Sequence, residues 1–325
     1  MTPSTEPSVT VVVPCYNAAP YLPALFASMS EQTEQAFEVV FFDDGSSDAT
    51  PMVLADLSAQ RPGARVERRS DNRGVCCTLN AALVLVNTPY TIIFAADDVM
   101  LPRLVEVALA AIERHDHDVA AVAFPHVVGD DMAQPVLDED GRPVVYAASP
   151  ELAHAETSTV LETVLEANRF AGVALFRTEV IRSLGYDEEL SIEDWDMWAR
   201  IVARWRVVVA SEPMFVYRNT ADSLDKRLRR TGRRYVDAAR LRAKFVGSSP
   251  SIDRMVVRRT KVDLHLLLSR GQKAETRAVL AVLRTAGLSE PFRRERLALL
   301  LPVGCSRLLA AVRHRRSPVD GPRRV

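Results

Sequence analysis

The sequence predicts an α/β fold in which a mostly parallel sheet carries helices on both faces, with a helical extension behind it. Three observations lead there. Short β-branched apolar runs alternate with stretches of helical periodicity through residues 9–114. Acidic residues follow the ends of those runs, where ligands gather in an open parallel sheet. After Asn219 the strand pattern stops and helical periodicity continues alone.

Residues 9–13 form a β-branched run closed by Pro14, and 21–30 then place apolar residues at helical spacing. The next run, 37–42, ends in Asp43-Asp44-Gly45-Ser46-Ser47-Asp48, and 49–59 is helical with Asp48 or Thr50 as its cap. A short strand at 65–68, a helix at 75–86, a strand at 90–95 ending at Asp97-Asp98 and a helix at 102–114 continue the alternation. Residues 129–158 hold Asp, Pro and Gly with little periodicity and read as a long loop or a lid near the site. The tail reads as helices at 226–245, 252–269 and 274–285, broken by Gly-Ser-Ser-Pro at 247–250. No repeat of fixed period is visible. The expected division is an α/β domain over 1–223 and a basic helical region over 224–325.

A chain of 325 residues with 48% hydrophobic and 26% charged residues can bury a sizeable core, which excludes a largely disordered protein. Its net charge of −1 hides a division: residues 1–225 carry 15 Lys+Arg against 35 Asp+Glu, and 226–325 carry 26 against 7. Such a tail either folds back to neutralise an acidic body or faces an anionic surface, so peripheral membrane contact through it stays open. No nucleic-acid partner is expected. Cys15, Cys76, Cys77 and Cys305 have neither zinc-ligand nor secreted-framework spacing, which suits a reducing cytoplasm. The start lacks a basic segment followed by an apolar one, so no signal peptide is expected. Polar residues and Pro89 interrupt the uncharged stretch 75–96, and the apolar stretch 297–306 is short and broken by Pro302; it could lie on a membrane but not cross one. The expected location is cytoplasmic, with peripheral contact at the inner face of the membrane left open. His115 and His117 read as a solvated helix end.

Three acidic sites dominate: Asp43-Asp44, Asp97-Asp98 and Glu193-Asp194. Carboxylates stacked at strand ends repel one another, and that cost makes sense where a divalent cation and a base are needed. Taken alone, Asp43-Asp44-Gly45-Ser46 is equally a turn and a helix start. A dinucleotide-dependent oxidoreductase needs a glycine-rich turn after its first strand, and Pro14 to Tyr21 contains no glycine. A nucleotidyltransferase is disfavoured because its glycine-rich first loop is also missing.

The ordered motifs Val-Val-Pro-Cys-Tyr-Asn at 12–17, Asp-Asp-Gly-Ser at 43–46, Asn-Arg-Gly-Val at 72–75, Asp97-Asp98 and Glu193-Asp194 resemble family 2 glycosyltransferases across residues 8–223. The resemblance implies the GT-A nucleotide-diphospho-sugar transferase fold, Rossmann-like with a mixed, mostly parallel sheet. It also implies transfer of a sugar from a nucleotide diphosphate to an acceptor hydroxyl with inversion, in polysaccharide, envelope or glycoconjugate synthesis. Pro14, Tyr16 and Asp44 would line the base pocket, and Arg73 would meet phosphate or ribose. Asp97 and Asp98 would share ribose and a divalent metal, Mn²⁺ or Mg²⁺, with the division between them open. Asp194 would be the general base. UDP- and dTDP-sugars are the favoured donors; the acceptor is open among glycan, lipid-linked and small molecules. The family's metal motif usually opens with another aspartate where this chain has Ala95, and many relatives place a histidine where it has Thr220. Those departures leave a non-catalytic nucleotide-sugar-binding module as the alternative. The segment Arg200 to Trp205 lacks the glutamine of processive synthases, so transfer of single sugars is expected. Trp195 and Trp198 read mainly as packing, and the Ala-, Val- and Arg-rich composition suits a bacterial source.

Overall fold

The computed structural model describes residues 6–61, 63–146, 152, 157–220, 223–288 and 290–300. In chain order the elements are β1 (Val9–Cys15), α1 (Leu22–Ser30), β2 (Phe37–Asp44), α2 (Thr50–Ser58), β3 (Ala64–Arg69), α3 (Val75–Val84) and β4 (Tyr90–Ile93). They continue with β5 (Val99–Met100), α4 (Leu104–Glu113), β6 (Val119–Ala123), β7 (His126–Gly129), β8 (Val145–Tyr146), α5 (Thr157–Glu166), β9 (Ala174–Arg177) and α6 (Thr178–Leu184). Then come α7 (Glu193–Val202), β10 (Arg206–Val209), β11 (Phe215–Arg218), α8 (Leu224–Thr231), α9 (Arg233–Ala243), α10 (Pro250–Ser269), α11 (Lys273–Thr285) and α12 (Arg293–Ala298). The described residues within 1–161, 168–189 and 193–221 cluster as one compact unit, and those within 162–167, 190–192 and 222–325 as a second. The second unit thus borrows two short segments that a single division of the sequence assigns to the first.

The first unit is built on a seven-stranded sheet in the order β10-β6-β9-β4-β1-β2-β3, parallel except for β9, which runs against both β4 and β6. β1 is buried on both faces. Val9, Val11 and Val13 join Leu22, Leu25 and Met29 of α1 in the main core, while Thr10 and Val12 are as fully buried on the opposite face. Strands covered on both sides read as continuous apolar runs rather than alternating ones, which is why 9–13 and 37–42 stand out in the sequence.

Pro14 does not end its strand. β1 continues to Cys15, with Pro14 opposite Phe42 of β2. The carbonyl of Val12 faces β4 and accepts from Phe94, so the position where Pro14 lacks an N–H faces the same side, just past the last β4 partner, Ile93. A proline costs no ladder bond there.

A second, four-stranded sheet in the order β5-β11-β7-β8 joins the two sequence regions flanking the site. Within the 129–158 segment, expected as loop or lid, residues 129–146 are ordered into two like turns. Asp130 Oδ1 accepts from the N–H groups of Met132 (2.9 Å) and Gln134 (2.8 Å), and Asp138 Oδ1 accepts from those of Asp140 and Arg142 (both 2.9 Å). Val128, Val136 and Val144, eight apart in sequence, bond to one another through their main chains. Short side chains that satisfy their own turn hide this order from a search for periodicity. The rest of that segment, 147–158, lies almost wholly outside the described residues.

The second unit is helical. The stretch 226–245, expected as continuous, is two helices because Gly232 sits at φ +80 between α8 and α9. A side chain there would meet Gln272, Glu275 and Leu267 at 3.0 Å. Arg242 and Asp263 form a buried ion pair at 2.6 Å inside this unit. No helix among the described residues is long and apolar enough to cross a membrane.

Candidate active site

β1, β2 and β4 are parallel and adjacent, in the order β4-β1-β2, so their carboxyl ends open on one edge of the sheet. Tyr16, Asp44 and Asp97-Asp98 follow those ends. β9 runs antiparallel to β4 with Ala174 opposite Ile93, so the residues entering β9 reach the same edge. Asp194 belongs with them: Asn168 Nδ2 donates to its Oδ2 at 2.8 Å, and a side chain at Gly172 would stand 3.6 Å from its Cβ. Topology therefore collects at one rim four regions that lie far apart in sequence.

The loops at this rim are tied together by short polar groups. Asn17, at φ +50, donates its N–H to Ser46 Oγ (2.9 Å) and accepts from Ser47 N–H (2.9 Å) on Oδ1. The N–H groups of Ala18 and Ala19 donate to Thr50 Oγ1 at 2.7 and 2.9 Å. Tyr16 emerges beside this knot, half exposed, one residue after the buried Cys15. Burial pushes the Cys15 thiol far above its ordinary range, with the charge of Asp43 adding, and leaves it inert at neutral pH.

Asp44 is buried and engaged on both oxygens. Oδ1 accepts from Arg73 N–H at 3.0 Å and Oδ2 from Gly74 N–H at 2.8 Å, while Arg69 stands 3.4 Å from Oδ1. The carboxylate thus holds the Asn-Arg-Gly turn that opens α3. Gly45 permits the approach: a side chain there would come within 2.6 Å of the carbonyl carbon of Asp71. The side chain of Arg73 is exposed, and only its main chain is committed to Asp44.

Asp98 is 2% exposed, and its Oδ1 accepts from Arg218 N–H at 2.9 Å. Burial raises its carboxyl well above the ordinary range, and the neighbouring Asp97 raises it further; Asp97 itself is raised by burial, against the opposing pull of Arg218. The Arg218 side chain donates to the carbonyls of Asp97 and Asp131, both at 2.6 Å, and lies over the Tyr21 ring. Two adjacent carboxylates held at such cost are hard oxygen ligands lacking a full counter-charge, which fits a divalent cation. Among the described residues no group of three or more Asp, Glu, His or Cys gathers to hold a metal alone. A cation here would draw its other ligands from substrate phosphate and water.

At the start of α7, Asp194 Oδ1 accepts from Trp195 N–H at 2.6 Å. Trp195 and Trp198 are buried, as packing requires, and the Trp198 indole also donates to the carbonyl of Ala171 at 2.9 Å. Arg200 is drawn into an ion pair with Asp196 at 2.8 Å and donates to the carbonyls of Leu184 and Gly185. Asn168, Gly172 and Arg69 escape sequence reasoning because none stands in an acidic cluster. Arg218 lies in a segment noted only for its Thr220.

A model of the family described as Glycosyl transferase family 2 matches residues 10–185. The succinoglycan biosynthesis protein ExoO of Rhizobium meliloti is 30% identical over 180 residues, covering 55% of this chain and 46% of that protein. Three further curated relatives are matched over 34% to 38% of their own length. The structure of S. aureus TarS 1–349 in complex with UDP-GlcNAc superposes with a TM-score of 0.64 at 17% identity, covering 95% of this chain and 92% of that one. The mannosyltransferase PcManGT from Pyrobaculum calidifontis, in complex with GDP-Man and Mn²⁺, gives a TM-score of 0.53 at 19% identity, with 97% and 88% covered. At such identities these likenesses show the fold, which is GT-A.

Proposed function

The chain belongs to glycosyl transferase family 2, and we propose that it transfers one sugar at a time from a nucleotide-diphosphate donor to an acceptor hydroxyl, with inversion at the anomeric carbon. The observation that carries this is the gathering of Asp44, Asp97-Asp98 and Asp194 at one rim of the sheet.

Tyr16, Pro14 and Asp44 receive the base, and Arg73 reaches phosphate or ribose. Asp98 and Asp97 would hold Mn²⁺ or Mg²⁺, and such an ion would supply positive charge to neutralise the leaving diphosphate. Asp194 takes the proton from the acceptor hydroxyl. As that O–H bond breaks, the oxygen's electron pair forms the bond to the anomeric carbon. The bond from that carbon to the diphosphate oxygen breaks on the opposite face, and its pair leaves with the diphosphate. Arg218 fixes the carboxylate pair through Asp98 Oδ1 and the Asp97 carbonyl.

The curated relative ExoO acts in succinoglycan biosynthesis by its name, which supports a glycan or glycoconjugate as the product. TarS with UDP-GlcNAc and PcManGT with GDP-Man and Mn²⁺ make nucleotide-diphosphate sugars the donors to try; UDP- and dTDP-sugars come first. The excess of Lys and Arg after residue 225 supports contact with an anionic membrane, and deleting 290–325 is expected to weaken binding to anionic vesicles.

Nucleotide release from UDP-, dTDP- and GDP-sugars, with Mn²⁺, with Mg²⁺ and with chelator, tests the proposal without a known acceptor. Metal-dependent release from one sugar donor, lost in Asp98→Ala, is expected. No release together with no calorimetric binding of any of the three nucleotides points instead to a non-catalytic module, the alternative that Ala95 and Thr220 suggest.

A further inference from the structure

The segment 168–173 docks along α7 through three contacts with different chemistry. Trp198 Nε1 donates to the Ala171 carbonyl at 2.9 Å, and the Phe170 and Trp198 rings meet with centroids 4.6 Å apart. These two would hold the segment whatever residue stood at 168. The third contact is between side chains: Asn168 Nδ2 to Asp194 Oδ2, 2.8 Å.

The amide of Asn168 is not free to turn. Its Oδ1 accepts from Phe170 N–H at 3.2 Å, which leaves Nδ2 as the group presented to the carboxylate. On the other side, Trp195 N–H donates to Asp194 Oδ1 at 2.6 Å. Each oxygen of Asp194 is therefore held by an N–H donor, and hydrogen bonds to the charged form of a carboxylate keep it charged. Gly172, exposed, adds no side chain over Oδ2; a Cβ there would lie 3.7 Å from that oxygen. The approach to this oxygen is kept narrow by one residue and open by another.

We infer that Asn168 is a positioning residue for proton removal: its amide fixes the rotation of the Asp194 carboxylate and favours its ionised form, so that the acceptor proton is received by a charged oxygen of set direction. This rests on Asp194 being the base. Ionisable groups near Asp194 among the described residues include Glu193 and Asp196 on the same helix, Arg200 paired with Asp196, and Tyr186 and Cys76, which feel the negative charge of this helix start together with Asp187 and Glu188. An amide there supports the carboxylate without competing for its proton.

The test compares the full-length chain with Asn168→Ala, Asn168→Asp and Asp194→Asn, using nucleotide release from the panel of UDP-, dTDP- and GDP-sugars. Asn168→Ala is expected to lower kcat by about 10- to 100-fold, less than the loss of the general base itself, with the donor KM and the calorimetric affinity for UDP plus Mn²⁺ changed less than about twofold. The acid limb of its pH–rate profile moves to higher pH. Asn168→Asp, which sets a second carboxylate against the first, moves it further. An unchanged kcat and profile in Asn168→Ala overturns the inference, as does a parallel fall in nucleotide affinity and melting temperature, which marks a merely structural contact. Full turnover in Asp194→Asn removes the base assignment instead. Independently of turnover, the ¹³C-carboxyl titration of Asp194, identified by its loss in Asp194→Asn, is read in the parent and in Asn168→Ala. The same midpoint in both also overturns the inference.

Discussion

Asp98 accepts the main-chain N–H of Arg218 at 2.9 Å, while the Arg218 side chain reaches back to the carbonyl of Asp97. The last residue of β11 is thereby locked to the carboxylate pair that follows β4. The same guanidinium donates to the carbonyl of Asp131 at the first of the two like turns, so one side chain connects the pair to the small second sheet.

Removing that guanidinium takes the donor from two part-buried carbonyls. Arg218→Ala is expected to lose about 2–4 kcal/mol of stability by denaturant unfolding, and Arg218→Lys, which keeps the charge but not the fork, to fall between it and the parent. A loss under about 0.5 kcal/mol in Arg218→Ala, the size of an ordinary surface change, would show that Arg218 does not lock this junction.

Gly45 and Gly141 separate crowding from backbone strain, since both have positive φ, +72 and +74. A side chain at Gly45 would approach Asp71 main chain at 2.6 Å, whereas nothing lies within 4 Å at Gly141. Gly141→Ala is expected to cost about 1 kcal/mol, and Gly45→Ala several times that because the Asp44-to-Gly74 bond is pushed apart with it. Equal costs in thermal unfolding would mean the rim relaxes freely.

His126 ties stability to pH. Its ring stacks on Tyr146 and Phe215 with centroids 5.6 and 5.0 Å away, its Nδ1 is buried without a hydrogen-bond partner, and burial lowers its pKa from 6.5 to about 4. The folded form keeps this ring neutral while the unfolded chain takes up a proton near pH 6.5. Stability from this group is complete above that pH and drains away as pH falls toward 4, by up to about 3 kcal/mol. His126→Phe is expected to flatten that part of the stability–pH curve; an unchanged slope would assign it to other groups.

Gly172 keeps the side of Asp194 clear, and its backbone is not in the left-handed region. Gly172→Leu is expected to leave the melting temperature within about 2 °C, as exposed substitutions do, and to cut turnover with acceptor at least tenfold by covering Oδ2. Retained turnover would place the acceptor's approach elsewhere.

The part of this architecture written in local sequence is the part that was legible. β1 and β2, buried on both faces, announce themselves as apolar runs, and Asp44, Asp97-Asp98 and Asp194 stand in motifs. β9 is a four-residue strand, Ala174–Arg177, with no pattern of its own; its antiparallel course is fixed by pairing with β4 and β6, which only the folded chain supplies. Asn168 and Gly172 inherit their place from that course. Pro14 misleads for a related reason, since its cost depends on where β4 ends rather than on β1. The turns at Asp130 and Asp138 are invisible to hydrophobic periodicity because polar side chains bonded to their own main chain make them.

The central claim, that Asp194 takes the acceptor proton at the rim where Asp97-Asp98 hold the metal, is met most directly by Asp194→Asn. Nucleotide release at saturating sugar donor and Mn²⁺ is expected to fall by about 10²- to 10⁴-fold, while the calorimetric affinity for the nucleotide with Mn²⁺ stays as in the parent. Release at the parental rate from Asp194→Asn would contradict the account.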